Sequence, residues 1–343
     1  MKKKISFVAV GQAGGNIGQL LEEAGYSVLY VNTSQEDLDT LGNAKFRYHV
    51  PGGEGCNKDR HKAKQLIIDD FDNIAREIEA KVKADMVFVI FSSGGGTGSG
   101  AGPMLADLLI DEGIEVGIIT IIPSLEESLK SQINSYECFS ELMGVVRTAA
   151  CFILDNGKGE KLGLNAAFVD SLKVFLDIPE MHKSIKGNID KAEAMETLKA
   201  HGMAVIARDA GGDSPGIIQA LKEGPFAPME ADRAVKYMAA SLSGDARMAD
   251  IEKAVGVPVD NFQTFNSAET ICCISGLTYP HARLEAVYGK VEGSRELVER
   301  NLAAAMECGM KKGVNFLEGM ELPGRKPGNS KPQSKRDIMS KYL

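Results

Sequence analysis

Two stretches of this 343-residue chain have the residue types and spacing to hold an anion. Residues 94–100 read Gly-Gly-Gly-Thr-Gly-Ser-Gly, and residues 11–18 read Gly-Gln-Ala-Gly-Gly-Asn-Ile-Gly. Each follows an apolar run and opens a helical pattern. Such a loop exposes backbone N–H groups, and the helix N-terminus behind it adds about half a positive charge, so the pair suits a di- or triphosphate. Neither loop carries a standard dinucleotide fingerprint. The spacing of residues 11–18 is GxxGxxxG rather than GxGxxG, and the next apolar run ends in Asn32, where a dinucleotide fold would place an acid for the ribose. No GxxxxGK[ST] sequence occurs. A third stretch, Asn188-Ile189-Asp190-Lys191-Ala192-Glu193, reads by itself as a helix N-cap with acids in the first turn.

Other chemistry finds less support. The five histidines (His49, His61, His182, His201 and His281) have no ligand spacing, so no metal site built from protein side chains is expected. The six cysteines have neither the density nor the spacing of a disulfide framework, and they read as reduced thiols. Adjacent Cys272 and Cys273 should point to opposite faces of a strand and into the core.

The elements that must position the loops are legible as alternation. Ile5–Val10, Ser27–Val31, Asp85–Phe91, Val116–Ile122 and Cys151–Leu154 are nearly continuous apolar runs, the pattern of a parallel sheet covered on both faces. Helices are expected at Asn16–Ala24, His61–Lys83, Ala101–Glu112 and Leu125–Val146. Asn165–Ile185 reads as a long connecting helix that Pro179 should kink or break. A smaller α+β unit follows, with strands Met203–Ala207 and Thr270–Leu277 and helices Ala231–Leu242 and Arg295–Gly309. The expected organisation is therefore residues 1–160, a nucleotide domain; 161–186, a central helix; 187–321, a second domain; and 322–343, a disordered tail. In an open α/β sheet, ligands bind beyond the carboxyl ends of the strands, where both glycine loops fall.

Composition sets the outer limits. Hydrophobic residues at 44% and charged residues at 25% are those of an ordinary globular chain and exclude a wholly disordered or fibrous one. Glycine, 37 of 343, exceeds the usual share of about 7%. The net charge of −8 argues against nucleic-acid binding by the body. Residues 322–343 instead carry Arg325, Lys326, Lys331, Lys335, Arg336 and Lys341 against one acid, Asp337, leaving −13 on residues 1–321. The apolar stretch after Met1–Lys4 is too short for a signal peptide, and no run approaches a membrane span, so a cytoplasmic protein is expected.

Together these residues resemble the tubulin/FtsZ family. Gly94–Gly100 matches its GGGTG[ST]G signature in full, and Gly11–Gly18 is similar to its first nucleotide loop, with Gln12 more tubulin-like than FtsZ-like. The resemblance implies GTP or GDP as ligand with Mg²⁺ held by phosphate oxygens and water. It implies binding roles for Gly11, Gln12, Ala13, Asn16, Gly94, Gly95, Gly96, Thr97 and Gly98. Asn32 and Thr33 resemble the second loop. Gly55 and Asn57, in Gly52–Asn57, resemble the third, which senses the γ-phosphate in relatives. Glu127, after Pro123-Ser124, resembles the ribose carboxylate. Asn156 and Asp170 resemble the pair that reads guanine. An amide can donate and accept, and an acid would favour guanine over adenine. Asn188, Asp190 and Glu193 match the family's N-x-D-x-x-[DE] loop, which reaches into the next subunit's site and orients the attacking water.

Within the family the chain most resembles the TubZ branch, the plasmid and phage tubulins. It lacks the acidic tail of eukaryotic tubulins and the terminal peptide of FtsZ. That resemblance implies an assembly-activated GTPase forming head-to-tail homopolymers that segregate DNA. The basic tail would contact a DNA-binding adaptor protein on centromere-like DNA, with no membrane partner. An FtsZ-type division scaffold is the alternative. A dinucleotide-dependent oxidoreductase is disfavoured by the missing fingerprint.

Overall fold

The structure, a computed structural model, describes residues 1–227, 230, 234–307 and 335–342. The strands are β1 (Ile5–Val10), β2 (Ser27–Asn32), β3 (Phe46–His49), β4 (Met86–Ser92), β5 (Val116–Ile122), β6 (Ala150–Asp155), β7 (Lys183–Ser184), β8 (Gly187–Asn188), β9 (Gly202–Asp209), β10 (Val235–Leu242), β11 (Pro258–Phe265) and β12 (Thr270–Leu277). The helices are α1 (Gly11–Glu23), α2 (Gln35–Asp39), α3 (Arg60–Lys81), α4 (Thr97–Asp111), α5 (Leu129–Leu142), α6 (Lys161–Met181), α7 (Lys191–Lys199), α8 (Ser214–Glu223), α9 (Met248–Val255), α10 (His281–Glu307) and α11 (Lys335–Tyr342).

Ten strands form one sheet in the order β11-β10-β12-β9-β6-β5-β4-β1-β2-β3. From β3 to β9 every neighbour is parallel, as the continuous apolar runs require. Beyond β9 the sheet is mixed: β12 runs antiparallel to β9 and β10, and β11 pairs parallel with β10. Side-chain alternation divides the core into two layers. Val8 and Val10 of β1 face the layer that holds α3, α4 and α5, while Phe7 and Ala9 face the one that holds α1, α6 and α7. Cys272 and Cys273 fall on opposite layers as their adjacency demands. Burial pushes the Cys151 and Cys272 thiols up to about 12, so both stay protonated core side chains.

The structure departs from the sequence reading where tertiary context overrides local pattern. Residues 235–242, expected as part of a helix over Ala231–Leu242, form β10; residues 231–233 lie outside the described residues. The Ala- and Met-rich run VKYMAASL has helical propensity, but it is hydrogen-bonded on both sides, to β11 and β12. The edge strands β3 and β11 escape notice because their sequences, FRYH and PVDNFQTF, are polar and half exposed. Helices α8 and α9 are likewise additional. Helix α10 begins at His281, earlier than the Arg295 expected; residues 308 and 309 lie outside the described residues. Both α1 and α4 start within the glycine loops, at Gly11 and Thr97. Helix α6 accommodates Pro179 in its last turn and ends at Met181. The chain then forms the small β7–β8 hairpin.

The basic tail also differs from expectation. Residues 322–334 and 343 lie outside the described residues, so Arg325, Lys326 and Lys331 are not placed. Residues 335–342 form α11, packed on α4. Ile338 and Tyr342, four apart on one face, are buried in the same layer as Met104 and Leu108. The Tyr342 hydroxyl donates to Asp107 at 3.2 Å, Lys341 pairs with Asp107 at 3.1 Å, and the Lys64 ammonium lies 5.6 Å from the Tyr342 ring centroid. The composition of the segment hid a single amphipathic turn pair. Ile338→Asp should release α11, because a buried carboxylate without a partner is costly. The expected outcome is rapid tryptic cleavage at Lys335 and Arg336 while the body keeps its cooperative melting transition, read by mass spectrometry and calorimetry.

Candidate nucleotide site

At the carboxyl ends of β1 and β4 lies a cleft of about 330 Å³. It forms there because two helices start almost against the strands. A Cβ on Gly14 would lie 2.5 Å from the Ile90 carbonyl oxygen, and one on Gly98 would lie 3.2 Å from that of Val10. Only glycine allows the approach that brings the N-termini of α1 and α4 together. Gly11, Gln12 and Ala13 line the cleft from α1. Gly94, Gly95, Gly96, Thr97 and Gly98 line it from the β4–α4 turn, Gly55 and Asn57 from the loop before α3, and Glu127 from the loop before α5.

Other predicted residues stand behind or beside this lining. Thr33 is fully buried, its hydroxyl 2.7 Å from that of Thr97 and 3.3 Å from the Cys56 sulfur, so it ties the second, third and fourth loops together. Asn32 is buried too: it donates to Asp37 at 3.2 Å and accepts from the Ser34 N–H at 3.2 Å, shaping the turn that aims Asp37 into the cleft. Asn156 donates to Glu127 at 3.1 Å. Asn16 is half-buried on α1 and does not line the cleft. Asp170 is not brought to it either. Its carboxylate is ion-paired with Arg208 of β9, which also binds Glu269 at 2.7 Å. The sequence reading missed Ser34, Asp37, Cys56, Lys58, Ser92 and Ser131 as lining residues. Lys58, one residue beyond the third loop, was the one with a readable signal, a cation beside a candidate phosphate loop.

Charge at the rim is arranged around Glu127. Burial opposes its ionisation. The Asn156 amide, the Lys161 ammonium at 3.0 Å and the Ser124 N–H outweigh that effect and hold the carboxyl below its ordinary range. Asp155, next to Asn156, is buried and forms a two-pronged pair with Arg283 of α10 at 2.7 and 3.0 Å. Arg283 also donates to the Pro123 carbonyl at 2.6 Å, so α10 fixes both strand ends that carry the rim.

The chemistry of this site fits a nucleoside di- or triphosphate. Free backbone N–H groups at two helix N-termini face one space, and no acid of the described lining other than Asp37 and Glu127 opposes an anion there. No group of three or more His, Cys, Asp or Glu that could hold a metal occurs among the described residues.

Asn188, Asp190 and Glu193 lie elsewhere. Asp190 is the N-cap of α7: its Oδ1 accepts from the Ala192 and Glu193 N–H groups at 2.7 and 2.9 Å, and Glu193 accepts from the Asp190 N–H at 2.8 Å. This reciprocal capping box leaves Asp190 exposed, with no partner for Oδ2 among the described residues. Lys191 binds Glu180 at 2.7 Å, and Glu180 lies 3.5 Å from the Met1 nitrogen. Asp190 thus sits by the start of β1, whereas the cleft sits at its end.

Residues 4–161 match the tubulin/FtsZ family, GTPase domain. The chain is 29% identical over 314 residues to the tubulin-like protein TubZ of Clostridium botulinum C phage, covering 88% of this chain and 87% of that protein. The crystal structure of Clostridium botulinum phage c-st TubZ superposes with a TM-score of 0.79 at 27% identity, covering 87% of this chain and all of that one. The chain has the tubulin/FtsZ fold, and its residues 4–161 match that family's GTPase domain. A GTPγS-form protofilament of Bacillus thuringiensis serovar israelensis TubZ shares the fold, with a TM-score of 0.73 at 18% identity over 89% of this chain and 95% of that one. The mixed ten-stranded sheet is thus the tubulin/FtsZ fold, and residues 4–161 are its GTPase domain. Among the described residues no helix is long and apolar enough to cross a membrane.

In this tubulin-family cleft, Glu127 has a lowered carboxyl value, so what its charge contributes is complete above the ordinary glutamate range. That contribution fades only as pH falls through the lowered value. Asn156→Ala removes one group that favours the charged form. The Glu127 carboxyl titration, followed by carbon NMR, should then move up towards the ordinary value.

Proposed function

We propose that this protein is a GTP-dependent, self-assembling filament protein of the TubZ kind, whose GTPase site is completed by a second copy of the chain. The observation that carries this reading is the separation of acids from cleft within one chain. Helix α6 starts beside the cleft, where Lys161 pairs with Glu127, and its 21 residues span about 30 Å to the α7 capping box. Strand β1, six residues or about 20 Å long, separates the same two ends. Asp190 and Glu193 therefore cannot serve their own nucleotide, but stacking copies head to tail places them over the next cleft. Exposed Met181 and Ile185 flank these acids, and a stacked copy would take them out of water. The Bacillus protein of the same fold is described as a protofilament, which is the kind of assembly this reading calls for.

In the assembled site the glycine loops hold the phosphates and Asn188, Asp190 and Glu193 orient a water. The water oxygen bonds to the γ-phosphorus as the bond to the β–γ bridging oxygen breaks, giving GDP and phosphate. Positioning supplies most of this catalysis. Bound Mg²⁺ would offset phosphate charge. Gln12 and Ala13 would contact the nucleotide from α1. Asn156 and Glu127 would face base and ribose, and Asp170 would have to leave Arg208 to read guanine.

The capping role of Asp190 allows a clean test. Asp190→Ser keeps a capping oxygen but removes the carboxylate, whereas Asp190→Ala removes both. Sedimentation and phosphate release with GTP, GDP and ATP should show wild type pelleting with GTP and hydrolysing above a critical concentration. Asp190→Ser should pellet with hydrolysis reduced about 100-fold or more and unchanged melting. Hydrolysis independent of protein concentration and of Asp190 would leave a monomeric GTPase in place of a filament.

The tail supports a cargo role. It carries six cations, of which Lys341 is taken up by Asp107, and its charge, opposite to the body's, suits an adaptor protein bound to DNA, through salt-sensitive contacts. Deleting residues 322–343 should leave GTP-driven pelleting intact and abolish co-pelleting of the adaptor–DNA complex. Retained co-pelleting would show that the body recruits it.

A further inference from the structure

Lys58 lines the cleft, yet no resemblance or motif assigns it a role. Its backbone is held in the left-handed region, φ 61°, directly after Asn57 at φ 42°. Two successive non-glycine residues there are strained, and such strain persists only where neighbours enforce it. The neighbours are visible. The Asn134 amide of α5 donates to the Lys58 carbonyl at 3.0 Å and to the Gly95 carbonyl at 2.7 Å, stapling the third loop to the glycine loop. A Cβ on Gly96 would come within 2.7 Å of the Lys58 nitrogen, so the main chain of Lys58 rests on the residue that opens α4.

The end of the side chain is held differently. Among the described residues its ammonium donates only to two hydroxyls, Ser128 at 2.8 Å and Ser131 at 2.7 Å. Ser128 is the N-cap of α5, so this cation stands at the positive end of a helix with no carboxylate in its hydrogen-bonding shell. A strained backbone, a stapled carbonyl and an ammonium without a counter-ion among the described residues, all at the lining of the cleft, describe a group suited to an anion.

We propose that Lys58 is the terminal-phosphate ligand of this cleft, the residue that makes the protein bind a nucleoside triphosphate more tightly than a diphosphate. This rests on the reading of the cleft as a GTP site. Only the side chain has to move, from two neutral acceptors to a charged one, while the main chain stays fixed by Asn134 and Gly96. A charge-assisted contact of this kind corresponds to about tenfold or more in affinity.

The test is equilibrium binding of fluorescent GTPγS and GDP to full-length protein below its assembly concentration. Wild type, Lys58→Met, Lys58→Arg and Ser128→Ala/Ser131→Ala are compared. Lys58→Met keeps the apolar stem and should weaken GTPγS about tenfold or more with GDP within about twofold. Lys58→Arg should restore most of the preference. The double serine variant, which frees the ammonium, should bind GTPγS at least as tightly as wild type. Equal loss for both nucleotides in Lys58→Met would make Lys58 a structural anchor of the loop and overturn the proposal, as would no loss at all. If Lys58→Met fails to fold, Lys58→Arg and the serine variant still decide. A wild type that binds neither nucleotide overturns the GTP reading itself, a result distinct from the other two.

Discussion

The close approach of two helix N-termini to the ends of β1 and β4 is the constraint from which the rest of the molecule follows. It needs glycine at Gly14 and Gly98, where any side chain would meet a strand carbonyl or side chain within about van der Waals distance. Once α1 and α4 are seated, their free N–H groups converge on one space, and that space attracts negative charge. The surrounding loops are then obliged to close it. Thr33, Thr97 and Cys56 do so through a buried contact chain, and Asn134 does so by holding the third loop against the fourth.

A cradle of positive character needs a rigid frame, and buried ion pairs supply part of it. Arg60, at the start of α3, is buried against Glu137 and Glu141 of α5 and the Ser99 carbonyl of α4, with Lys64 sharing Glu141. Three helices around the cleft are thereby held in one register. Arg283 does the same for α10 through Asp155. Such pairs add little net stability over an apolar core, but breaking one leaves a buried charge without a partner. Their effect here is to fix geometry, so that the rim carboxylate Glu127 keeps its partners and its charge.

The cradle was legible in sequence for the same reason that it works. Close packing against backbone admits only glycine, and nine Gly, Ser and Thr residues in a row, Ser92–Gly100, leave an imprint that no tertiary information is needed to read. The parallel half of the sheet was legible because strands covered on both faces are apolar throughout. What could not be read depends on distant partners. Lys58 meets Ser131 across 73 positions, and Asp170 meets Arg208 across 38, so neither environment has a local signature. The run from Val235 to Leu242 looked helical because its alanines and methionine are indifferent to its neighbours in the sheet. Docking of α11 rested on two side chains in a segment otherwise composed like a linker.

In the acids at Asp190 and Glu193, an observed local role and the proposed catalytic one fall on the same residues. Read locally, they are a capping box, and the structure forms that box in full. Capping needs only one oxygen of each carboxylate. It also requires that the pair lie at an exposed helix start, where water or another molecule can reach the remaining oxygens. The local role thus holds the carboxylates in fixed positions at the surface, about one helix length from the cleft of their own chain. A group pre-positioned by its own fold loses little entropy when a second copy presents its cleft. Asp170 stands in contrast, since its charge is taken by Arg208 and any nucleotide role must compete with an existing ion pair. The proposed action on a neighbour's phosphate therefore rests on acids left with free oxygens rather than on those already ion-paired within the chain.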